Sequence, residues 1–207
     1  MLDRLLANAL EGVTVIEDET GAISKIIAKQ MGSYVRASGK KVLFLSLEGD
    51  GQSAAAREIT GQRSGLRLDE LSGGGIAAGT QFYGRSQKYV FLEGLTQDTV
   101  IIEAFSTYLF DKTEKEVIDL IKHIARLAKQ KKSFIITYDK GLLTDRVAAY
   151  LRATADSVII VRTELTADRV TRMLYIPKMR DSRPIDHLIK ITIDQAGVQI
   201  DTREFVG

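Results

Sequence analysis

Five short apolar runs, KKVLFLSLE (40–48), KYVFLEG (88–94), TVIIEAF (99–105), SFIITYD (133–139) and SVIIVRTE (157–164), constrain this chain more than any other feature. A strand with one wet face alternates apolar and polar residues. These runs do not alternate, so both of their faces need cover, which is the situation of a parallel strand between layers of helices. Helical segments of the right kind lie between them. Residues 23–37 place Ile23, Ile26, Ile27, Met31, Tyr34 and Val35 at helical spacing, and Ser38-Gly39 stops the run. Residues 113–131 carry Val117, Leu120, Ile121, Ile124, Leu127 and Ala128 on one face and charges on the other. Strand and helix in alternation imply parallel pairing with right-handed crossovers.

The expected strands lie at about 13–17, 42–47, 89–92, 99–103, 133–138 and 157–163, with further helices near 52–62 and over 144–153. Pro177 and Pro184 are the only prolines, so the first 176 residues can form uninterrupted elements. The end, VTRMLYIPKMR, LIKITIDQ and GVQIDTREF, reads as an antiparallel meander on one sheet edge, with a turn near Ala196-Gly197. The fold class is thus α/β: a three-layer α/β/α domain with a mainly parallel sheet and an antiparallel C-terminal edge, residues 1–207 forming one unit. Stretch 72–84, SGGGIAAGTQFYG, reads as a loop.

Composition narrows the function classes. Hydrophobic residues make up 44% and charged residues 27% of the chain, as in ordinary globular proteins. A net charge of +2 is too small for a nucleic-acid coat protein. No apolar run reaches the roughly 18 residues needed to span a bilayer, and the amphipathic start lacks a cleavage-type region, so the expectation is a cytoplasmic protein without a membrane partner. Cysteine is absent, which excludes disulfides and thiolate metal sites. His123 and His187 lie far apart and read as surface or packing residues, so no metal site is expected.

In such sheets ligands bind where strands present their carboxyl ends, beside helix N-termini. The first such place is VIEDETGAISKIIAKQ, a strand, a short loop and a helix. The phosphate-binding pattern for that setting is G-x-x-x-x-G-K-[ST]. Here Asp18 stands for the first glycine, Ile23 for the second, Ser24 for the lysine and Lys25 for the hydroxyl residue, while Thr20 and Gly21 fit. Glu17, Asp18 and Glu19 set up to three negative charges beside a polyphosphate site, and like charges about 4 Å apart repel by roughly 4 kcal/mol at an effective dielectric near 20. Ile23 adds a β-branched side chain where glycine permits close backbone approach. Lys25 is one residue late, about 100° around the helix from the usual lysine direction.

The order and spacing of these segments resemble the KaiC-like and RadA-paralogue branch of the RecA ATPase superfamily, and the archaeal flagellar accessory ATPase, with a degenerate phosphate loop. SGKKVLFLSLEGD is similar to the family's second strand, whose terminal acid helps activate water; the matching residue is Glu48. TVIIEAFS stands for the magnesium-binding strand, with Glu103 in place of an aspartate and Ser106 nearby. SFIITYD resembles the sensor strand, with Thr137 and Asp139 at its tip, and ATADSVIIVRTE a further family strand. MLYIPKMRDS resembles the segment whose Lys and Arg reach a neighbouring subunit's nucleotide, which assigns that subunit-interface role to Lys178 and Arg180.

The resemblance implies a RecA-type scaffold, and the broken loop points to a non-hydrolysing binding, assembly or regulatory subunit that partners itself or a related active RecA-type subunit. Catalytic remnants would be Glu48 and Glu103, and nucleotide contacts Thr20, Gly21, Ser24 and Lys25, with no cofactor needed or, in the alternative reading as an active ATPase, Mg-ATP held through Lys25. A third reading is a recombinase-paralogue module binding single-stranded DNA. It would use Arg63, Arg67, Arg85 and Lys88 with Phe82 and Tyr83 for stacking, or loop 139–146. The expectation for assembly is self-association, or association with a related active subunit, with Lys178 and Arg180 within reach of acids near Asp18, Glu19 or Glu48 on the next chain.

Overall fold

The computed structural model describes residues 9–20, 22–46, 55–58, 92, 95–109, 112–194 and 197–201. Its elements are β1 (Val13–Asp18), α1 (Ile23–Ala37), β2 (Val42–Ser46), β3 (Ala55–Glu58), β4 (Thr99–Glu103), α2 (Phe105–Tyr108), α3 (Glu114–Ala128), β5 (Ser133–Asp139), α4 (Asp145–Thr154), β6 (Ser157–Leu165), β7 (Val170–Lys178), β8 (Ile185–Asp194) and β9 (Gly197–Ile200). They form one sheet in the order β3-β2-β4-β5-β1-β6-β7-β8-β9. The five strands from β2 to β6 in that order pair in parallel, and β3 and β7–β9 are antiparallel additions at the two ends. Every residue of β1 and β4 is buried, as strands covered on both faces must be.

Alternation along the central strands divides the core in two. Val13 and Val15 of β1, with Val100 of β4 and Phe134 and Ile136 of β5, face α3 and α4. Ile16, Ile101, Ile135 and Ile159 face α1, which contributes Ile23, Ile27, Met31 and Val35. Helix α3 begins with a capping box, since Thr113 Oγ1 accepts from the Glu116 backbone N–H and the Glu116 carboxylate accepts from the Thr113 N–H. Helix α1 ends at Ser38, with Gly39 following at φ 84°, the left-handed conformation that glycine adopts without strain.

One feature departs from the sequence pattern. Residues 52–62 read as a polar helix, but Ala55–Glu58 form an edge strand antiparallel to β2. Pairing with an apolar neighbour overrides the helical preference of Ala, Arg and Glu there. The expected strand 89–92 and loop 72–84 fall outside the described residues, apart from a fully buried Leu92. At the far end, Gln30 of α1 closes the exposed strand edge. Its amide oxygen accepts from the Val198 N–H at 3.0 Å and its NH₂ donates to the Val198 carbonyl at 3.3 Å, so a side chain fills the place of another strand.

Candidate functional site

The carboxyl ends of β1, β4 and β5 converge beside the N-terminus of α1, and the acids of the first loop do not gather there as one patch. Successive side chains on a strand point to opposite faces. Asp18 therefore faces α1, while Glu17 faces the α3–α4 layer. Asp18 is 0% exposed. One carboxylate oxygen accepts from the backbone N–H of Ile23 at 2.8 Å and of Ser24 at 2.7 Å. The other accepts from the Thr20 N–H at 2.9 Å and the Thr20 hydroxyl at 3.1 Å. The first N–H groups of a helix have no intrahelical acceptor, and the helix dipole favours an anion at that end. A bound phosphate commonly meets this need in a strand–loop–helix unit. In this chain the Asp18 carboxylate meets it. The Ala22 N-cap supplies no side-chain cap of its own.

The remaining acids are each neutralised by a separate partner. Glu17 accepts a hydrogen bond from the Tyr138 hydroxyl and pairs with Arg152, whose Nη1 is 2.8 Å from Oε2. Burial, and then the Glu17 carboxylate that accepts its hydrogen bond, push the Tyr138 phenol above its ordinary range, so it remains a neutral donor. Lys140 Nζ lies 2.7 Å from Glu19, and this hydrogen bond holds the Glu19 carboxyl below its usual range against the opposing effect of burial. The expected pile-up of three charges against a polyphosphate is therefore corrected: one acid occupies the cradle, one is turned to the other face and one is paired at the surface.

Lys25 has a partner as well. Its Nζ is 2.7 Å from Oε1 of Glu103, which is only 2% exposed at the tip of β4. Among the described residues neither oxygen of Glu103 receives a well-oriented hydrogen bond, so the Lys25 ammonium is its principal compensation. Immediately beyond, Ala104 takes φ 54°, an unusual value for a residue other than glycine, and opens the short helix α2. Thr137 Oγ1 accepts from the Ala104 N–H at 3.0 Å, and Ser106 Oγ accepts from the Asp139 N–H at 3.2 Å. The residues singled out on β4, α2 and β5, Glu103, Ser106, Thr137 and Asp139, thus do share one edge.

Thr20, Ser24, Lys25 and Glu103 are brought together around the start of α1. Gly21, Glu48 and the proposed DNA-contacting residues Arg63, Arg67, Phe82, Tyr83, Arg85 and Lys88 lie outside the described residues. Lys178 and Arg180 lie at the opposite edge. Strand β7 runs against β6, with Lys178 opposite Val158, so its end returns to the side where the parallel strands begin. The Lys178 ammonium donates to the carbonyls of Ala153 and Ala155, completing the C-terminus of α4. The Arg180 N–H donates to Ser157 Oγ at 3.1 Å, and its guanidinium is partly exposed beside Asp181 at 3.3 Å.

Sequence reasoning missed Tyr138 and Arg152, which balance Glu17. A signal was available for Tyr138: β1 and β5 pair in parallel register with Glu17 opposite Tyr138. Among the described residues no group of three or more His, Asp or Glu side chains is arranged to hold a metal ion. No helix among them is long and apolar enough to cross a membrane.

A parallel sheet with helices on both faces, a strand–loop–helix unit at its centre and an antiparallel C-terminal edge define a RecA-type fold. Solved structures agree. The chain is similar to the flagellar accessory protein FlaH from Methanocaldococcus jannaschii, with a TM-score of 0.64 and 14% identity over 96% of this chain and 95% of that one. It is similar also to a KaiC-like protein from the hyperthermophilic archaeon Pyrococcus horikoshii OT3, with a TM-score of 0.63 and 14% identity over 93% of this chain and 90% of that one. The fold is that of the KaiC-like and FlaH group of RecA-type proteins. No protein-family model matches the sequence, and no curated protein matches it.

Proposed function

We propose that this chain is a non-hydrolysing member of the RecA-type ATPase architecture, a binding or assembly subunit whose degenerate phosphate loop is closed by its own Asp18. The observation that carries the reading is the Asp18 carboxylate seated on the Thr20, Ile23 and Ser24 N–H groups, the donors a phosphate would need. An incoming phosphate would have to displace a covalently tethered anion, whose effective concentration is high and whose removal leaves a buried charge to resolvate. The Walker-type lysine is missing as well, and Lys25, the residue that could replace it, is paired with Glu103. Positioned positive charge on the transferring phosphoryl group is the main catalytic contribution in such chemistry, so its loss removes turnover.

What such a scaffold retains is surface. FlaH is an accessory protein by name, and an accessory or assembly role in a cytoplasmic complex suits a chain with an intact sheet and a closed loop. We take the partner to be a second copy or a related active RecA-type subunit. Asp18 is buried, so it is no acceptor for a neighbour's cations; Glu19, 28% exposed, remains the nearest described acid with surface to offer. Exposed ion pairs contribute only about 0–1 kcal/mol each, and apolar contacts must supply most of the affinity. The β6–β7 hairpin tip offers some, with Leu165 80% exposed and directly opposite Val170.

Light scattering across a concentration series, on the wild type and on Arg180→Ala at two salt concentrations, tests the assembly reading. The expected result is concentration-dependent association of the wild type, weakened in Arg180→Ala and by salt. A strict monomer that also fails to bind an active RecA-type relative would overturn it.

A further inference from the structure

At the edge opposite the phosphate loop, a cleft of ≈ 560 Å³ opens among the amino ends of β1, β5 and β6 and the C-terminus of α3. Five cations line it, from three separate segments: Lys40 from the α1–β2 turn, Lys129, Lys131 and Lys132 from the end of α3, and Arg180 from beyond β7. Two acids oppose them, Glu11 and Asp156. Asp156 is held in the floor, where Oδ2 accepts from the Val13 N–H at 2.8 Å. The floor has little slack: a Cβ on Gly12, at φ 75°, would come within 2.1 Å of Asp156 Oδ2 and 2.9 Å of Arg180 Nη1. Lys132 serves the fold, its ammonium donating to the carbonyls of Leu95 and Gln97. Among the described residues Lys40, Lys129 and Lys131 have no ion-pair partner.

Basic residues at a helix C-terminus often do no more than complement the helix dipole. That explains Lys129 and Lys131 but not Lys40 and Arg180, which come from other elements to the same cleft. The volume is in the range of about 300–1,000 Å³ usual for small-molecule sites. Lysine ammonium groups act as adaptable point charges for phosphate, and an arginine adds a planar donor fork. A second copy of the chain is a poorer occupant. The acids at its described carboxyl edge are already engaged: Asp18 by backbone N–H groups, Glu17 by Arg152, Glu19 by Lys140 and Glu103 by Lys25.

We propose that this cleft binds a small molecule carrying two or more phosphate groups, at a site remote from and independent of the closed phosphate loop. Its phosphates lie between Arg180 and Lys40 on one side and Lys129 and Lys131 on the other.

Inorganic pyrophosphate is the probe, titrated by calorimetry into the full chain at low salt. Saturable binding is expected, weakened tenfold or more by Lys40→Ala/Lys131→Ala and by Arg180→Gln. Two changes should leave it intact: Lys122→Ala, which removes an exposed cation elsewhere on α3, and Asp18→Asn at the opposite edge. Each variant's melting temperature is read with and without pyrophosphate, so a folding defect is distinguished from lost binding. Absence of saturable heat at millimolar pyrophosphate would overturn the proposal. So would equal weakening by Lys122→Ala, which marks diffuse charge, or binding indifferent to the cleft variants and strengthened only by Asp18→Asn, which returns the anion to the loop. Self-association abolished by Lys40→Ala/Lys131→Ala and indifferent to pyrophosphate would assign the cleft to a protein partner instead, and would equally refute it.

Discussion

Replacing Asp18 by alanine is expected to lower stability by about 3–5 kcal/mol, because the change strands several buried donors at once. The carboxylate serves three backbone N–H groups and the Thr20 hydroxyl, and it is fully buried. A buried N–H left unsatisfied costs about 1–3 kcal/mol, and hydrogen bonds to a charged acceptor are worth about 1.5–3 kcal/mol. Water entering the vacated space recovers part of the sum. For a chain of this size, each kcal/mol shifts the melting temperature by about 2–4 °C, so a fall on the order of 10 °C is expected. Asp18→Asn keeps one oxygen acceptor and loses the charge, and should fall between. Thermal and denaturant unfolding of the three proteins check this. If Asp18→Ala melts within a degree or two of the wild type, the carboxylate is not what holds the start of α1.

The second large effect concerns Lys25. Lys25→Ala leaves the Glu103 carboxylate at the tip of β4 without its principal compensating charge. Breaking a buried pair by removing one partner costs about 3–5 kcal/mol, and since Lys25 is itself 30% exposed the expected loss is nearer 2 kcal/mol. Glu103→Gln in the same background should restore most of it, giving a coupling of about 1–3 kcal/mol in the double-mutant cycle. Additive single effects would show that the two side chains do not act as a pair.

The central strands were legible because their apolar runs lack alternation, and only a sheet covered on both faces suits that pattern. Helices α1, α3 and α4 were legible from their periodicity, and the C-terminal meander from turn residues and alternation. Strand β3 was not, because Ala55–Glu58 carry residues that favour a helix, and its conformation comes from pairing with β2. The site was half legible. Position 18 stood out as an acid where the phosphate loop has glycine, yet it read as repulsion. Its carboxylate is instead the anion the helix end requires, and that depends on the turn at Thr20 bringing the N–H groups of Ile23 and Ser24 onto it. The opposite-face placement of Glu17 was available from the alternation of a strand. So was the position of Lys178 and Arg180, because a strand antiparallel to β6 ends where β6 begins. The role of Lys178 as a cap on the α4 carbonyls was not available, since it depends on contacts between distant segments.

Whether the phosphate loop is closed is tested most directly by titrating Mg-ATP into the wild-type chain in a calorimeter, beside Lys25→Ala and Asp18→Asn. A loop occupied by Asp18 gives no saturable heat attributable to the start of α1 in the wild type, so any weak response there is the same in Lys25→Ala. A gain of binding is expected only in Asp18→Asn, which removes the tethered anion. Saturable binding by the wild type that Lys25→Ala abolishes would mean the loop rearranges to admit nucleotide, and would contradict the closed site.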